Sequence, residues 1–340
     1  MANVTYTVPN KSGSYDGDMV VKQYTSMTIN TGDTITTDQP CRGLMILVQG
    51  DCTINGTLSM TGRGGYANPT TNGGSDSNQV DANGLRMPFA TTGGSSSLSA
   101  SNTLFNGCGN DARSVIANFK TIASSGDIIT LSRQGASGGS APGGQQQTGP
   151  AGSNGGTGQT GGGGAGGRGW TGPAGAGSYG SCFAGGSGGG GSNGNSEAAG
   201  AANAWAGPGG NAATDHSAAT SGGVGNPAGS NDTTSGSAAG SESGNGGLII
   251  LIVGGNLTIG SNGSIVANGR NSGNCSGGNQ WHGSGGASGG GNIVIVHRGS
   301  YTNNGSVTAN GGTSGTIASY QYARRGGNGG NGSVQTLQVL

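Results

Sequence analysis

LIVGGNLTIGSNGSIVANGR, residues 251–270, carries the pattern that decides the fold: an aliphatic strand, a turn at Gly254 and Gly255, a short strand, an Asn262-Gly263 turn, a second short strand and a closing glycine. The same order recurs in ILVQGDCTINGTLSMTGRG, residues 46–64, and in IVHRGSYTNNGSVTANGG, residues 295–312. Alternating Thr/Ile and Ser/Val/Leu residues between Gly and Asn-Gly turns signal β-structure with tight turns. A unit of about 20 residues with strand and turn at fixed places reads as a solenoid rung or a stacked hairpin. One copy cannot bury its apolar face, whereas three together can.

One copy lies near the N-terminus and two near the C-terminus, which divides the chain. Residues 1–65 are read as the first part of a β-rich body and residues 247–340 as its second part. Dense aliphatic runs at residues 43–48, 248–253, 292–296 and 334–339 supply its core. YTSMTINTGDTITTD, residues 24–38, alternates polar and apolar positions in a way suited to another rung. Residues 66–134 read as a small mixed lobe whose one helix-forming stretch is residues 111–123, with Asn110 or Asp111 as N-cap.

Residues 135–246 differ from both. Glycine makes up 82 of the 340 residues and concentrates in tracts such as GGGGAGGRG at 161–169 and GGSGGGGSNG at 185–194. Glycine loses more backbone entropy on ordering than any other residue, so such a tract folds only where a missing side chain is required. Collagen is excluded, because it needs a strict Gly-X-Y period and abundant proline, and only 9 prolines are present. The remaining ordered arrangement is a layer of polyproline-II-type helices, three residues per turn, packed laterally through glycine: a polyglycine-II layer. The competing reading is a flexible Gly/Ser linker. The fold class expected is therefore all-β: a β-solenoid-like or stacked-hairpin body with a glycine-rich, polyglycine-II-type insertion.

Composition narrows the partners. Lys plus Arg and Asp plus Glu number 13 each, and charged residues are 8% of the chain, so no basic field exists to hold nucleic acid or an anionic membrane. No run reaches the roughly 18–20 apolar residues of a membrane-spanning helix, and membrane insertion is not expected. The opening MANVTYTVPNKSG shows no basic segment followed by an apolar one, and so no export signal. Cys41, Cys52, Cys108, Cys182 and Cys275 are odd in number and widely spaced, which fits buried thiols made in a reducing cytoplasm better than disulfides or a metal site.

Glycine tracts alternating with short segments of larger side chains resemble the tip adhesins of T-even-like phage long tail fibres. The LTIGSNGSIVANG type of repeat resembles glycine-rich virion proteins of marine tailed phages. The resemblance implies a phage virion structural protein, displayed on the particle surface after assembly in the host cytoplasm. It further implies contact with other virion proteins and with a host surface glycan or outer-membrane protein. The chain would then be a homotrimer, or a monomer mounted on a trimeric fibre. A head decoration or head fibre is the alternative, and a secreted ice-binding or surface-adhesion protein a further one. Aromatic rings amid Asn, Ser and Thr suit saccharide contact, and the candidates are Tyr66, Trp170, Tyr179, Phe183, Trp205, His216, Trp281 and His282. The competing role for each ring is to fill a gap among small residues.

Enzyme chemistry is not expected, and neither is a cofactor. Glycoside cleavage needs paired carboxylates about 5–9.5 Å apart; Asp16 with Asp18, and Asp33 with Asp38, read instead as turn residues. Gly185-Gly186-Ser187-Gly188-Gly189 matches G-x-S-x-G, but without a strand before it and a helix after it. His216, His282 and His297 lack metal-ligand spacing, and none of Lys11, Lys22 and Lys120 follows a phosphate-binding glycine loop. Two RGG-like sites, GGRGW at 166–170 and ARRGG at 323–327, are too few for RNA binding in a neutral chain.

Overall fold

The computed structural model describes residues 2–10, 18–64, 135–140, 142–168, 174, 177, 180, 183–186, 188–189, 191, 244–273, 283–317 and 324–339. Among these residues the protein is built from strands, with no helix. The lobe expected over residues 66–134, including its helix at 111–123, lies outside the described residues.

After β1 (Val4–Tyr6), the strands come in threes. They are β2 (Val20–Tyr24), β3 (Met27–Ile29) and β4 (Thr34–Thr37), then β5 (Leu44–Val48), β6 (Cys52–Ile54) and β7 (Thr57–Ser59). β8 (Leu248–Val253), β9 (Leu257–Ile259) and β10 (Ser264–Val266) follow, then β11 (Asn292–His297), β12 (Tyr301–Asn303) and β13 (Ser306–Thr308), and last β14 (Ser333–Gln338). Each triplet gives one strand to each of three sheets, ordered β1-β4-β7-β10-β13, β14-β11-β8-β5-β2 and β12-β9-β6-β3. The pairings within all three sheets are parallel. The three sequence repeats thus stack in register, and β5 lies directly against β8, Leu44 opposite Ile249 and Val48 opposite Val253. The Asn55-Gly56 turn joins β6 and β7, which belong to different sheets, so the turn that reads as a hairpin makes a corner instead.

Register explains the core. Val20, Leu44, Ile249 and Ile293 form one inward column of the second sheet; Ile29, Ile54 and Ile259, and Ile35, Leu58 and Ile265, form columns of the other two. All of them belong to one buried cluster, in which each aliphatic side chain contributes about 1.5–3 kcal/mol of burial free energy. The N-terminal end is covered by Tyr6, whose hydroxyl bonds that of Tyr24 and whose ring lies 5.0 Å beneath the Lys22 ammonium. The central strands of the second sheet are buried on both faces, while its edge strands β2 and β14 keep exposed residues. All six residues of β8 and all six of β11 are buried, as the unbroken runs LIILIV and NIVIV require of a doubly covered parallel sheet. Its outward column Met45, Ile250 and Val294 belongs to a second apolar cluster that includes Phe183.

The triplets connect through one corner. Gly247, Gly291 and Gly332 stand just before β8, β11 and β14, and their N–H groups donate to the carbonyls of Met60, Ala267 and Ala309, just after β7, β10 and β13, at 3.0, 2.8 and 2.7 Å. Between those paired residues the chain leaves the sheets and enters the glycine segments.

Residues 160–168 run through the middle of these segments. Gly161, Gly164 and Gly167 donate to Gly290, Ala287 and Ser284, each at 2.9 Å, while Gly162, Ala165 and Arg168 donate to Ser153, Pro150 and Gln147 at 3.0, 2.9 and 2.9 Å. The carbonyls of Gly161 and Gly164 accept from Gly186 and Gly189, those of Gly162 and Ala165 from Gly330 and Gly327, and those of Thr160 and Gly163 from Ala136 and Gly139. Each neighbouring segment is met once every three residues. Positive φ among described glycines occurs at Gly32, Gly43, Gly62, Gly158 and Gly244, none of them in this central row. Space is what the central glycines provide: a Cβ on Gly161 would strike the Gly330 carbonyl, and one on Gly164 the Gly327 carbonyl. The arms 283–290 and 324–330 belong to the same hydrogen-bonded array as the described residues between 135 and 191.

Candidate functional site

Several glycine segments meet around Arg168 and Gly283. Gln147 bridges Arg168, and Gly283 bridges Arg324. A Cβ on Gly191 would meet the Gly283 carbonyl, and one on Gly283 the carbonyl of Gly167. The expected contact residues Trp170, Trp205, His216, Trp281 and His282 precede or follow these positions in the sequence. Those five residues, together with Tyr66 and Tyr179, lie outside the described residues.

Phe183 is the one expected contact residue that is described, and it does not face outward. It is 4% exposed and clusters with Met45, Leu248, Ile250 and Val294 on the outer face of the second sheet. Two residues on, Gly185 donates to the Gly246 carbonyl at 3.0 Å, immediately before β8. The ring thus fills a gap where the glycine array meets the sheet, and Phe183 is a packing residue rather than the expected loop contact.

At the far end, residues 142–147 form a turn in which Gln146 has φ 55°. A non-glycine residue in that region needs outside support. Support comes from arginine: Arg324 Nε donates to the Gln146 carbonyl at 2.8 Å, and Arg168 Nη1 donates to the carbonyls of Pro142 and Gly143 at 3.1 and 2.8 Å. The Gly144 N–H donates to Gln147 Oε1 at 3.0 Å and closes the turn. Arg325 follows with an exposed side chain, while its carbonyl accepts from Gly149 at 2.9 Å. Arg168 Nε is buried without a hydrogen-bond partner. The described acidic residues are Asp18, Asp33, Asp38 and Asp51, all in the strand-rich body, so the described glycine segments carry arginine charge and no carboxylate of their own.

The residues weighed for catalysis are engaged in structural roles. Asp38 Oδ1 accepts from the Val8 N–H at 3.0 Å, Asp33 accepts from the Asn30 amide at 3.3 Å, and Asp18 pairs with Arg42 at 3.4 Å. Asp16 lies outside the described residues. Gly185 and Gly188 of the G-x-S-x-G match would each, with a Cβ, strike carbonyls of residues 286–289, so that stretch is packing surface. His297 is buried, its Nδ1 2.8 Å from the Gly299 carbonyl oxygen and its ring 5.4 Å from that of Tyr301. Among the described residues no group of three His, Cys, Asp or Glu side chains is placed to hold a metal ion. Cys41 and Cys52 are buried thiols outside any disulfide, and burial pushes the Cys52 thiol up to about 12.

No protein-family model, no curated protein and no solved structure matches the chain. Sequence reasoning missed the arginines at the end of the glycine array. Their signal was GGRGW and ARRGG, each an arginine closing a glycine tract, which had been weighed only as RNA-binding elements.

Proposed function

We propose that this chain is a surface protein of a tailed-phage particle, an adhesin at the tail-fibre tip that binds the host cell surface. In this reading the strand triplets are the rungs of a three-sided β-solenoid that docks on the particle. The glycine segments are polyglycine-II helices: a helix of three residues per turn offers the same side to a given neighbour every third residue, which is the spacing of the hydrogen bonds around residues 160–168. The observation that supports the function is the meeting of those segments at Gln147, Arg168, Gly191, Gly283 and Arg324. A rigid scaffold on which several segments meet is where recognition loops are commonly mounted. The mechanism is binding, without covalent chemistry.

Competition tests this reading. Purified full-length protein, added to host cells before the phage, is expected to occupy receptors and slow adsorption in proportion to its concentration. Adsorption unaffected at saturating protein, with no protein retained on the cells, contradicts host binding.

A further inference from the structure

We propose that the trailing end of the strand stack, the edges of β12, β13 and β14, is where the chain joins another protein of the particle, by accepting that protein's strands onto its own. The inference rests on the reading of the strand-rich body as the docking part and names the surface through which it docks. The two ends of the stack differ. At the leading end the inward columns begin with Val20, Met27, Ile29 and Ile35, each no more than 2% exposed, and Tyr6 and Val8 belong to the same buried cluster. At the trailing end the columns run from Ile293 to Val334, from Leu257 to Tyr301 and from Ile265 to Val307. Val334 is 43% exposed although its column faces the core, and Tyr301 and Val307 are only partly buried. β14 adds a strand to the second sheet alone, and among the described residues no strand follows β12 or β13 in the other two. A sheet edge with unpaired backbone groups is a template for further strands.

Hydrogen-bond direction selects the partner. Side-chain oxygens of one layer of the stack accept N–H groups of the next: Asn3 Oδ1 from Thr34 at 2.7 Å, Asp51 Oδ1 from Asn256 at 2.8 Å and Asn256 Oδ1 from Ser300 at 2.9 Å. Thr61 Oγ1 likewise accepts from Asn268 at 3.1 Å, and Asn268 Oδ1 from Asn310 at 2.7 Å. These columns end at Ser300 and Asn310, so the trailing end offers side-chain oxygens to whatever lies on it. The fitting partner leads with backbone N–H groups at those two corners and with aliphatic side chains opposite Val307 and Val334. A second copy of this chain fits poorly either way round. Its leading end is closed by Tyr6 and Val8, and its trailing end brings side-chain oxygens where N–H donors are needed. Strand addition between chains is a general mode of recognition, in which main-chain bonds hold and side-chain positions select.

The experiment compares Val334→Glu with Val21→Glu. Both positions are exposed, at 43% and 49%, and Val21 lies on β2 at the leading end, so each variant is expected to keep the urea midpoint of the natural protein. Each is supplied in host cells to virus lacking the natural chain, and its amount in purified particles is read by immunoblot. Val334→Glu is expected to enter particles about tenfold less, because docking would bury an unpaired carboxylate, while Val21→Glu enters normally. In parallel, hydrogen exchange of the natural protein is expected to be slower at residues 300–308 and 333–338 in particles than in the free state. Val334→Glu entering particles as the natural protein does, or those two stretches exchanging equally in both states, overturns the inference. So does free protein that scatters light as a dimer and becomes a monomer on Val334→Glu, which would make a second copy the occupant. The exchange comparison needs no variant and so stands apart from folding defects. If the natural protein is on particles and blocks host cells while Val334→Glu enters them normally, this inference falls and host binding survives; if the natural protein is absent from particles, this inference and the particle reading fall together.

Discussion

Replacing Gly164 by alanine tests whether glycine is present for space. The added Cβ would lie under 3.0 Å from the carbonyl carbon and oxygen of Gly327 and 2.6 Å from the carbonyl oxygen of Asn328, all backbone atoms. Relief requires segments 160–168 and 324–331 to part, yet Gly327 N to Ala165 O at 2.7 Å and Gly330 N to Gly162 O at 2.8 Å tie them together. Overpacking costs about 1–3 kcal/mol, and one strained or broken buried bond about 1–3 kcal/mol more. The lower entropy of the unfolded alanine chain returns about 0.4–1 kcal/mol. The net expectation is a loss of about 3 kcal/mol, read as a fall in the urea midpoint followed by circular dichroism. Gly143→Ala is the control: its Cβ would meet nothing within 4 Å and its φ is not positive, so stability is expected unchanged or slightly raised. Should Gly164→Ala unfold at the same urea concentration as Gly143→Ala, the space argument for the central glycines is refuted.

Other consequences follow from the same packing. Phe183→Ala empties a site in the second apolar cluster and is expected to cost about 3–5 kcal/mol in urea unfolding; a loss below about 1 kcal/mol would place the ring at the surface after all. Leu251→Ala, at the centre of the first cluster, is expected to cost about 2–5 kcal/mol. Cys41 and Cys52 are expected to resist a thiol reagent at pH 8 and to react once urea is added, as mapped by peptide mass spectrometry. For Cys52 the folded value is raised from 9.0 to about 12, so its contribution to stability is full below pH 9 and is lost as pH rises towards 12. The buried Tyr6 hydroxyl, also raised by burial and by its bond to Tyr24, adds to the loss above pH 10. Stability that increases over this alkaline range would contradict the burial of both groups.

The repeat was legible because its apolar positions and turns fall at fixed places, and the three copies do stack in register. The alternation in residues 24–38 likewise announced β3 and β4. The choice between a solenoid rung and a stacked hairpin stayed open for a physical reason. Asn-Gly is the strongest short signal for a hairpin turn with positive φ, but Gly56, Gly263 and Gly305 are not among the positive-φ glycines. They are glycine because the turn of one triplet presses on the next: a Cβ on Gly305 would strike carbonyls of Gly260 and Gly263. Stacking and hairpin formation select the same dipeptide, so sequence cannot separate them. Phe183 was misassigned because the tract around it is polar and small. Its partners, Met45 and β8, are remote in sequence, and only the return of the chain to Gly246 brings them together. The arginines escaped notice because their significance lies in the convergence of segments 147, 168 and 324, which no local window contains.

The proposed host-binding display is tested most directly by immunogold labelling of intact virus particles purified from the source of this chain, using antibody raised against the glycine array, residues 135–191. Gold at the tail tip or fibre ends is the predicted result. Gold confined to the capsid would replace the adhesin by a head decoration, and particles bearing none would contradict a place on the virion surface altogether.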